Sequence, residues 1–535
     1  MTSTERRNVL AILIKSGFQI TPDALDYILN LDAPLEIVNS VILSNVSIDS
    51  SSVLTREYVE LLIEGKTVEA PFFKSASENE QEPNLPPLVA ESQISDTDWH
   101  YRIEKNPDQN SVGSEGIIED FLELFRDRYA RIKKIYMGRI DTQNAVTPDI
   151  AKQRKSPVKP GSLQNNEGGR RQRPPSQVVL GIIRNKSISS QRNIIIDLEG
   201  HEDSIICVIP SALRGPKGQD LSEKANSLLL DEIVCISGYV DNSERMIADD
   251  VLFPDIPTVR QVGRAKKEVY AAFISDLHCG SQEFLEDELD RFIAWLSGRD
   301  VDTSDKNMME KTKYLFIAGD LVDGISVYPS QREHLKVSSL YDQYATIAEK
   351  LKKIPKRIKI FCIPGNHDAC RQALPKPPIP REFAEPLYKI ENVVMLGDPS
   401  QVLVEDVRIL MNHGDSMDDL VTTLPRASYT EPAISMIELL KKRHLAPIYG
   451  GKTELAPLHR DWMVIDTPPD VVHFGHAHHN AVDNYRGVQI INSGTFQSQT
   501  DFMRKQGVVP TPGIVTFMNL QTGIPDVKFF YDMSK

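Results

Sequence analysis

Short apolar runs that stop abruptly at polar residues recur along the second half of the chain. They are rich in β-branched and aromatic residues, and they occupy residues 271–274, 314–318, 359–363, 407–411 and 471–474. Continuous apolar runs of this length are typical of strands that are buried on both faces of a sheet. The pattern therefore predicts an α/β domain over residues 265–535.

The first 65 residues follow a helical period instead. One predicted helix face collects Val9, Leu10, Leu13 and Ile14. Thr21 before Pro22 is a suitable N-cap, followed by a proline at the first helical position. We expect residues 1–65 to form a small all-α domain that packs on other parts of the protein or binds a partner.

Residues 177–260 return to strand-like patterns. Five short strands are predicted, with a helical segment at residues 222–230 between the third and the fourth strand; the strands are residues 178–183, 193–198, 204–209, 232–240 and 246–253. This order fits an OB-fold β-barrel. Such barrels often bind single-stranded nucleic acid through aromatic side chains, but few aromatic residues occur here. Docking of another protein is therefore an equal alternative.

Two segments before the barrel differ in pattern. Residues 66–113 lose periodicity and are rich in Glu, Asn, Pro and Ser, so we expect a disordered linker with Trp99 and Tyr101 as exceptions that could dock. Residues 114–140 predict an amphipathic helix, capped by Ser114 and ended by Gly138. Its apolar face contains Ile117, Phe121, Leu124, Phe125, Ile132 and Ile135, and its basic remainder contains Arg126, Arg128, Arg131, Lys133 and Lys134. Packing on the next domain is favoured over contact with nucleic acid.

Residues 141–176 predict a second, basic and flexible linker. Its cationic side chains are candidates for contact with DNA: Lys152, Arg154, Lys155, Lys159, Arg170, Arg171 and Arg173. A flexible cationic segment can hold phosphates without sequence preference, or it can serve only as a solvated spacer. The pattern does not choose between these two roles.

Composition narrows the class of protein. A chain of 535 residues exceeds one ordinary core, so several domains are expected. With 61 basic and 75 acidic residues the net charge is −14, so binding of nucleic acid needs a local basic patch or a partner chain. Five cysteines without a Cys-x-x-Cys pair favour a reducing cytoplasm over a disulfide framework. No apolar stretch reaches the ~20 residues of a membrane span, and we expect no signal peptide.

Metal-ligand residue types follow each of the five apolar runs. They are Asp276 and His278, then Asp320 and Asp323, then Asn366, His367 and Asp368, then His413 and Asp415, and finally His476 and His478. Ligands gather outside the carboxyl ends of strands in α/β sheets, so we expect these side chains to converge. A single Asp or His at such a place is more often a helix cap or a structural residue. The recurrence after five strands favours a site for two ions that share a carboxylate.

The type of ligand narrows the choice of metal. Oxygen and imidazole donors without thiolate suit Mn²⁺, Fe or Zn²⁺ better than they suit an all-sulfur structural zinc site. We expect two divalent ions, with Mn²⁺ favoured and Fe or Zn²⁺ as alternatives. Cys279 lies next to His278 but is expected to pack rather than to bind metal.

The five motifs resemble those of the calcineurin-like metallophosphoesterase superfamily: Asp-x-His, Gly-Asp-x-x-Asp, Gly-Asn-His-Asp, His-Gly-Asp and Gly-His-x-His. The resemblance spans residues 268–520 and implies a β-sandwich flanked by helices. It implies that the first ion is held by Asp276, His278, Asp320 and His478, and the second by Asp320, Asn366, His413 and His476. It also implies that His367 is the general acid, with its ring oriented by Asp368 or a neighbour, and that Asp323, Asp368 and Asp415 support the ligands.

The order of domains resembles that of the small subunits of archaeal family D replicative DNA polymerases, as do residues 440–450 and 492–500. That resemblance implies a large catalytic polymerase subunit as partner, single-stranded or primer–template DNA as substrate, and 3′–5′ exonuclease activity. Related eukaryotic B-subunits have lost metal ligands, whereas every ligand position is filled here. The helical domain carries little of this resemblance; other replication factors are candidate partners for it.

Two other functions are weighed against this one. Phosphoprotein phosphatases of the superfamily carry an arginine after the second aspartate of Gly-Asp-x-x-Asp, where this chain has Gly324. The missing arginine removes a phosphate clamp and disfavours a stand-alone phosphatase or phosphodiesterase. A non-catalytic scaffold whose metals are structural is the remaining alternative.

Overall fold

In the computed structural model the chain divides into two compact units, Met1–Gln93 and Ile94–Lys535. The structure describes residues 99–154, 176–211 and 216–531, together with a few positions before residue 60. Among these residues, no helix combines the length and the apolar character needed to cross a bilayer.

The first unit contains one helix and a pair of very short strands where it is described. β1 (Gln19–Ile20) is followed by α1 (Pro22–Leu29) and pairs in parallel with β2 (Val53–Leu54). The helix begins at the predicted proline. This strand pair departs from the predicted all-α domain. Parallel strands need a long crossover connection, and here that connection contains α1. Val9, Arg56 and Val59, which lie in two of the other predicted helices, are helical. The rest of those predicted helices and the linker residues 66–98 lie outside the described residues.

Residues 99–113 are ordered, so the predicted disordered linker (residues 66–113) is wrong at its C-terminal end. β3 (Tyr101–Lys105) is an antiparallel edge strand that pairs with residues 401–404. Trp99 Nε1 donates a hydrogen bond to the carbonyl oxygen of Arg357 at 2.8 Å. Trp99, Tyr101 and Ile103 alternate along the strand and pack on the sandwich core, which supplies the apolar burial that the polar linker composition concealed.

The predicted amphipathic helix is α2 (Ile118–Met137), and it ends at Gly138 as expected. Ser114 does not cap it directly: its hydroxyl donates to the carboxylate of Asp120 at 2.9 Å, and Asp120 also accepts from the backbone N–H of Gly116. Ile117, expected on the apolar face, is half exposed, and the buried face is rotated to include Tyr136. The helix packs on the following domain, as the favoured interpretation predicted.

Arg128 is the largest correction to that helix, because it is buried rather than solvated. Its side chain is 1% exposed, and its Nε donates to the carboxylate of Asp461 at 2.6 Å. Its Nη1 donates to the carbonyl oxygens of Pro447 at 2.8 Å and Asp231 at 3.2 Å. His444 Nε2 lies 2.9 Å from the same Asp461 carboxylate. One guanidinium therefore ties α2 to two separate parts of the chain.

The beginning of the predicted basic linker (residues 141–176) is also ordered. Val146 exchanges backbone hydrogen bonds with Val178 and Leu180, and α3 (Pro148–Gln153) follows it with Ala151 buried. The linker prediction is therefore wrong for residues 141–154, since an apolar side chain docks there. Residues 155–175 lie outside the described residues.

Five strands close a barrel in the next part of the chain. In chain order its elements are β4 (Gln177–Ile188), β5 (Ile194–Glu199), β6 (Ser204–Ile209), α4 (Pro216–Asn226), β7 (Ile233–Val240) and β8 (Met246–Leu252). The strand order β4-β5-β6-β8-β7 closes through pairing of β4 with β7. The helix lies between the third and the fourth strand, as predicted, but it spans Pro216–Asn226 rather than residues 222–230.

The remaining chain forms a second, larger α/β body. Its elements are β9 (Tyr270–Ile274), α5 (Glu286–Leu296), α6 (Lys306–Lys311), β10 (Thr312–Ala318), α7 (Leu340–Leu351), β11 (Lys359–Ile363), α8 (Arg381–Tyr388), β12 (Val393–Met395), β13 (Ser400–Val404), β14 (Val407–Met411), α9 (Met417–Thr423), α10 (Pro432–Lys442), β15 (Val471–Phe474), β16 (Ala481–Tyr485), β17 (Val488–Asn492), α11 (Asp501–Gln506), β18 (Ile514–Asn519) and β19 (Pro525–Phe529).

Two six-stranded sheets face each other in this body. Their orders are β12-β11-β10-β9-β18-β19 and β16-β17-β15-β14-β13-β3. Phe273, Phe316 and Phe361 stack between the sheets, with neighbouring ring centroids 5.3 and 5.1 Å apart. Leu315 and Ile317 point the other way, into a core covered by helices. Both faces of the central strands are thus buried, as their continuous apolar runs predicted.

We predict that Arg128→Met destabilises the chain strongly, because it leaves the Asp461 carboxylate buried without its cation. Removal of one partner of a buried ion pair costs about 3–5 kcal/mol. The free energy of unfolding in denaturant measures the effect. Arg126→Met, at an exposed position of the same helix, is the matched control and should change it by less than about 0.5 kcal/mol.

Truncation tests the ordered residues before the barrel. Removal of residues 1–93 should leave the melting temperature of the remainder nearly unchanged, since residues 94–535 form their own compact unit. Removal of residues 1–140 deletes β3 and α2, so we expect it to lower the melting temperature by more than about 5 °C. Equal melting of the two truncated chains would contradict this account of β3 and α2.

Candidate metal centre

The predicted ligands lie at the carboxyl ends of strands from both sheets. Asp276 and His278 follow β9, Asp320 follows β10, Asn366 follows β11, His413 follows β14, and His476 and His478 follow β15. Parallel strands end at the same edge, so these loops meet at one rim of the sandwich. The ligand atoms of Asp276, His278, Asp320 and His478 lie within 4.8 Å of one another, and all four residues are buried.

Asp320 lies between two groups of ligands. Its Oδ2 is 3.6 Å from His278 Nε2 and 3.4 Å from His413 Nε2. On the first side, His478 Nε2 lies 3.0 Å from His278 Nε2 and 3.3 Å from Asp276 Oδ1. The carboxylate is therefore placed where the bridging role requires it.

Asn366 connects the ligands of the second group. Its Oδ1 lies 2.9 Å from His413 Nε2 and 3.1 Å from His476 Nδ1. An amide oxygen and two imidazole nitrogens thus face one another beside Asp320. The structure brings together all seven residues that the resemblance assigned to two ions.

In three of these histidines, the outer ring nitrogen, which faces away from the cluster, donates a hydrogen bond to an oxygen acceptor. His413 Nδ1 donates to the carbonyl oxygen of Ala318 at 2.7 Å, so the hydrogen of the neutral ring is on Nδ1. His278 Nδ1 lies 3.2 Å from the Asp323 carboxylate, and His476 Nε2 lies 2.9 Å from the Asp418 carboxylate. Each bond leaves the inward nitrogen with a free lone pair, the arrangement that metal-binding histidines need. This donor set fits two divalent cations.

The backbone is strained where it presents the ligands. φ is positive at five of them: 52° at Asp276, 49° at His278, 52° at Asp320, 65° at His476 and 54° at His478. Each such conformation costs about 1–3 kcal/mol unless the surrounding structure enforces it, and such residues cluster at functional sites. Close approach is also required: a Cβ on Gly365 would lie 2.0 Å from Asp320 Oδ1, and one on Gly475 would lie 2.5 Å from Asp276 Oδ2.

Burial and charge oppose each other in the cluster. Burial disfavours the charged form of Asp320, but the neighbouring rings of His413, His367 and His278 hold its pKa well below the usual value. Burial likewise opposes the charged form of His413, yet Asp320 and other carboxylates raise its pKa to about 10. The carboxylates therefore favour a positive charge at this rim strongly.

His367 lies at the edge of the cluster, with its side chain 17% exposed. Its Nδ1 donates to the backbone carbonyl oxygen of Asp323 at 2.8 Å, and its ring meets that of His278 edge-on at 4.6 Å. Asp323 is therefore the neighbour that orients the ring. Burial lowers the pKa of His367 against the opposing charge of Asp320.

Asp368 does not orient His367, so that expectation is wrong for this residue. Its carboxylate accepts hydrogen bonds from the backbone N–H groups of Gly365 at 2.9 Å and Leu321 at 3.2 Å, and from the Tyr344 hydroxyl at 3.1 Å. It joins the loop after β10 to the loop after β11. Burial raises the pKa of Asp368 to about 6.

Two further side chains support the second group, and sequence analysis missed both. Lys376 pairs with the Asp415 carboxylate, whose other oxygen lies 3.9 Å from His413 Nε2. Asp418 contacts His476 and accepts from the Tyr429 hydroxyl at 2.7 Å. Asp418 lies in the first turn of α9 (Met417–Thr423), beyond the loop that carries His413 and Asp415, so no ligand motif marks it in the sequence.

The basic residues proposed to contact DNA are only partly described. Lys152 pairs with Asp203 at 2.6 Å, which reduces its availability for phosphate. Arg154 is exposed at the end of α3. Lys155, Lys159, Arg170, Arg171 and Arg173 lie outside the described residues.

We predict that Asp320→Asn weakens binding of both ions, because one carboxylate serves both groups. The loss should exceed the about 10–100-fold that removal of a supporting partner costs. Isothermal titration with Mn²⁺ measures stoichiometry and affinity. Asp483→Asn, an exposed carboxylate on β16, is the control. Retention of two ions at native affinity by Asp320→Asn would contradict the shared position of this residue.

Comparison with known proteins finds a matching family model, similar solved structures and similar curated proteins. Residues 271–482 match the family of the B-subunits of DNA polymerases alpha and epsilon. A solved structure of a novel archaeal phosphodiesterase is 14% identical and covers 49% of this chain and 99% of that chain, with a TM-score of 0.25.

Two curated relatives are more similar. The chain is 37% identical over 407 residues to the DNA polymerase II small subunit of Methanocaldococcus jannaschii, covering 76% of this chain but 64% of that relative. It is 40% identical over 401 residues to the DNA polymerase II small subunit of Archaeoglobus fulgidus, covering 75% of each chain. Because this identity extends over three quarters of both proteins, the chain belongs to the family of archaeal DNA polymerase II small subunits, as its sequence motifs and domain order predicted.

Proposed function

We propose that this chain is the 3′–5′ exonuclease subunit of a two-subunit archaeal DNA polymerase and removes misincorporated nucleotides from 3′ ends. The observation that carries the proposal is the complete convergence of seven oxygen and nitrogen ligands at one rim, around the shared Asp320. A scaffold without metals would need no such set of inward-facing nitrogens, and a scaffold with structural metals is separated from a nuclease by the cleavage assay below. Strand polarity is taken from the resemblance to the family.

The seven residues would hold two divalent cations. Asp276, His278, Asp320 and His478 would hold the first, and Asp320, Asn366, His413 and His476 would hold the second. We propose Mn²⁺, with Fe and Zn²⁺ as alternatives; mixed oxygen and imidazole donors without thiolate suit all three. When bound, such cations neutralise phosphate charge and make hydroxide available from water near neutral pH.

His367 is the proposed general acid. Its Nδ1–H is fixed by the Asp323 carbonyl oxygen, so Nε2 is the nitrogen that can carry a second proton and give it up. Its partial exposure at the rim lets a substrate oxygen reach that nitrogen. In exonuclease action the leaving oxygen is the 3′ oxygen of the penultimate nucleotide, and a proton from Nε2 would neutralise it.

Cysteine is not the nucleophile in this proposal. Cys279 is next to His278, but burial raises the pKa of its thiol to about 12. Cys370 follows Asp368 closely, and burial raises its pKa as well. Thiols held in this way contain almost no thiolate at neutral pH, so attack by water without a covalent intermediate is favoured.

The family to which the chain belongs also suggests a partner subunit and roles for the remaining domains. The relatives are named as small subunits of DNA polymerase II, so we propose a large subunit that carries out polymerisation. We propose that the five-stranded barrel is an OB-fold module that docks this subunit or guides a single strand of DNA. The basic segment at residues 152–173 is proposed to hold DNA phosphates, and the first unit to bind other replication factors.

We predict that His367→Ala retains two ions but cleaves DNA about 10²–10⁴-fold more slowly, the usual contribution of a general acid. A primer with a 3′ mismatch, incubated with the two-subunit polymerase and Mn²⁺, measures release of mononucleotide from the 3′ end. His459→Ala, which changes an exposed histidine outside the ligand groups, is the control.

A substrate with a different leaving group tests whether His367 acts as an acid. Bis(p-nitrophenyl) phosphate releases an oxygen that needs little protonation, so His367→Ala should be much less impaired with it than with DNA. An equal loss with both substrates would assign His367 to binding or to structure instead. Absence of cleavage by the intact two-subunit polymerase would favour the scaffold alternative.

A further inference from the structure

Asp418 lies in the first turn of α9 and reaches back to the rim. Its Oδ1 is 2.9 Å from His476 Nε2 and 2.7 Å from the hydroxyl oxygen of Tyr429. A carboxylate can only accept these two bonds, so both Nε2 and the hydroxyl donate to it. The neutral ring of His476 therefore carries its hydrogen on Nε2, and Nδ1 faces Asn366 with a free lone pair.

We propose that Asp418, braced by Tyr429, is a positioning residue that holds His476 toward the second cation and sets the affinity of that cation separately from the first. This inference rests on the proposed function for its consequence in catalysis, but its direct effect is on metal binding. Partners of this kind contribute about 10–100-fold to metal affinity, because they fix the tautomer and the rotation of the ring.

The ligand histidines of the two groups are oriented by separate hydrogen-bond partners, although the groups share Asp320. His278, in the first group, is held by Asp323, which in turn accepts from Gln331 Nε2 at 2.9 Å. His476 is held by Asp418 and Tyr429 on a different segment of the chain. Loss of the Asp418 bond therefore leaves the bond that orients His278 intact.

The next residue, Asp419, fixes the loop that packs against the start of α9, so Asp418 is not needed for that structural role. The Asp419 carboxylate accepts from the backbone N–H groups of Lys452 at 2.6 Å and Thr453 at 3.1 Å, and so closes the loop against α9. The Asp418 side chain is 35% exposed and takes no part in that closure. Water can solvate a partly exposed carboxylate, so burial does not require the bond to His476.

The experiment compares Mn²⁺ binding by the full chain and by three variants in isothermal titration. Asp418→Ala should weaken the second ion about 10–100-fold and leave the first ion within about 3-fold. Asp418→Asn keeps an oxygen acceptor and should remain within about 3-fold of the natural chain at both ions. Tyr429→Phe removes the brace alone and should produce a loss smaller than that of Asp418→Ala.

Asp418→Asn separates the effect of the hydrogen bond to His476 from the effect of the negative charge. If Asp418→Asn lost as much affinity as Asp418→Ala, the negative charge would matter and the positioning role would be overturned. Equal weakening of both ions by Asp418→Ala would overturn the claim of independence. Native affinity of Asp418→Ala at both ions would overturn the proposal as a whole.

Two further measurements keep the outcomes distinct. The melting temperature of each variant without metal should match that of the natural chain, which excludes unfolding as the cause of a lost ion. DNA cleavage is measured in parallel on the same proteins. A natural chain that binds two ions without cutting DNA would contradict the proposed function and leave the role of Asp418 standing.

Discussion

The structure depends on the burial of negative charge at one rim. Asp276 and Asp320 are almost completely removed from solvent, and isolated carboxylates in such surroundings are costly. Imidazole rings from several strands surround them, at distances that suit either shared protons or a shared cation. This requirement for compensating positive charge explains why histidines from both sheets converge, and why acceptors hold the outer nitrogens of all but one of the ligand histidines.

The same requirement shapes the backbone around the rim. A ligand loop must turn sharply after its strand in order to present a side chain back over the sheet edge, and left-handed residues provide that turn. Glycines allow neighbouring loops to touch ligand carboxylates, and the Asp368 carboxylate joins two of the loops through backbone N–H groups. The rigid sandwich supports this local strain because its strands are packed on both faces. The His478 ring is the exception to the general pattern, since its buried Nδ1 has no acceptor among the described residues.

Much of the site could be predicted from the sequence, because its signal is local. Each ligand follows an apolar run within a few residues, so strand and ligand are visible together. Asp418 and Lys376 carry no such signal, since their partners come from other loops. The burial of Arg128 is set by Asp461, 333 residues away, and a helical projection places it among solvated arginines. β3 was missed because Trp99, Tyr101 and Ile103 form too short an alternating pattern to outweigh the polar composition around them.

Membership of β3 in the second sheet has a consequence for synthesis of the protein. β3 belongs to the sandwich but precedes the barrel in the sequence, and the other strands of the sandwich follow the barrel. Glu104 and its hydrogen-bond partner Gln401 are therefore separated by 297 positions. At about 5–20 residues per second, a ribosome releases β3 roughly 15–60 s before its neighbour β13. The barrel can therefore complete its own fold as a nested insertion while this edge of the sandwich is still open. During that interval the aromatic side chains at β3 are without the sandwich residues on which they pack in the folded protein.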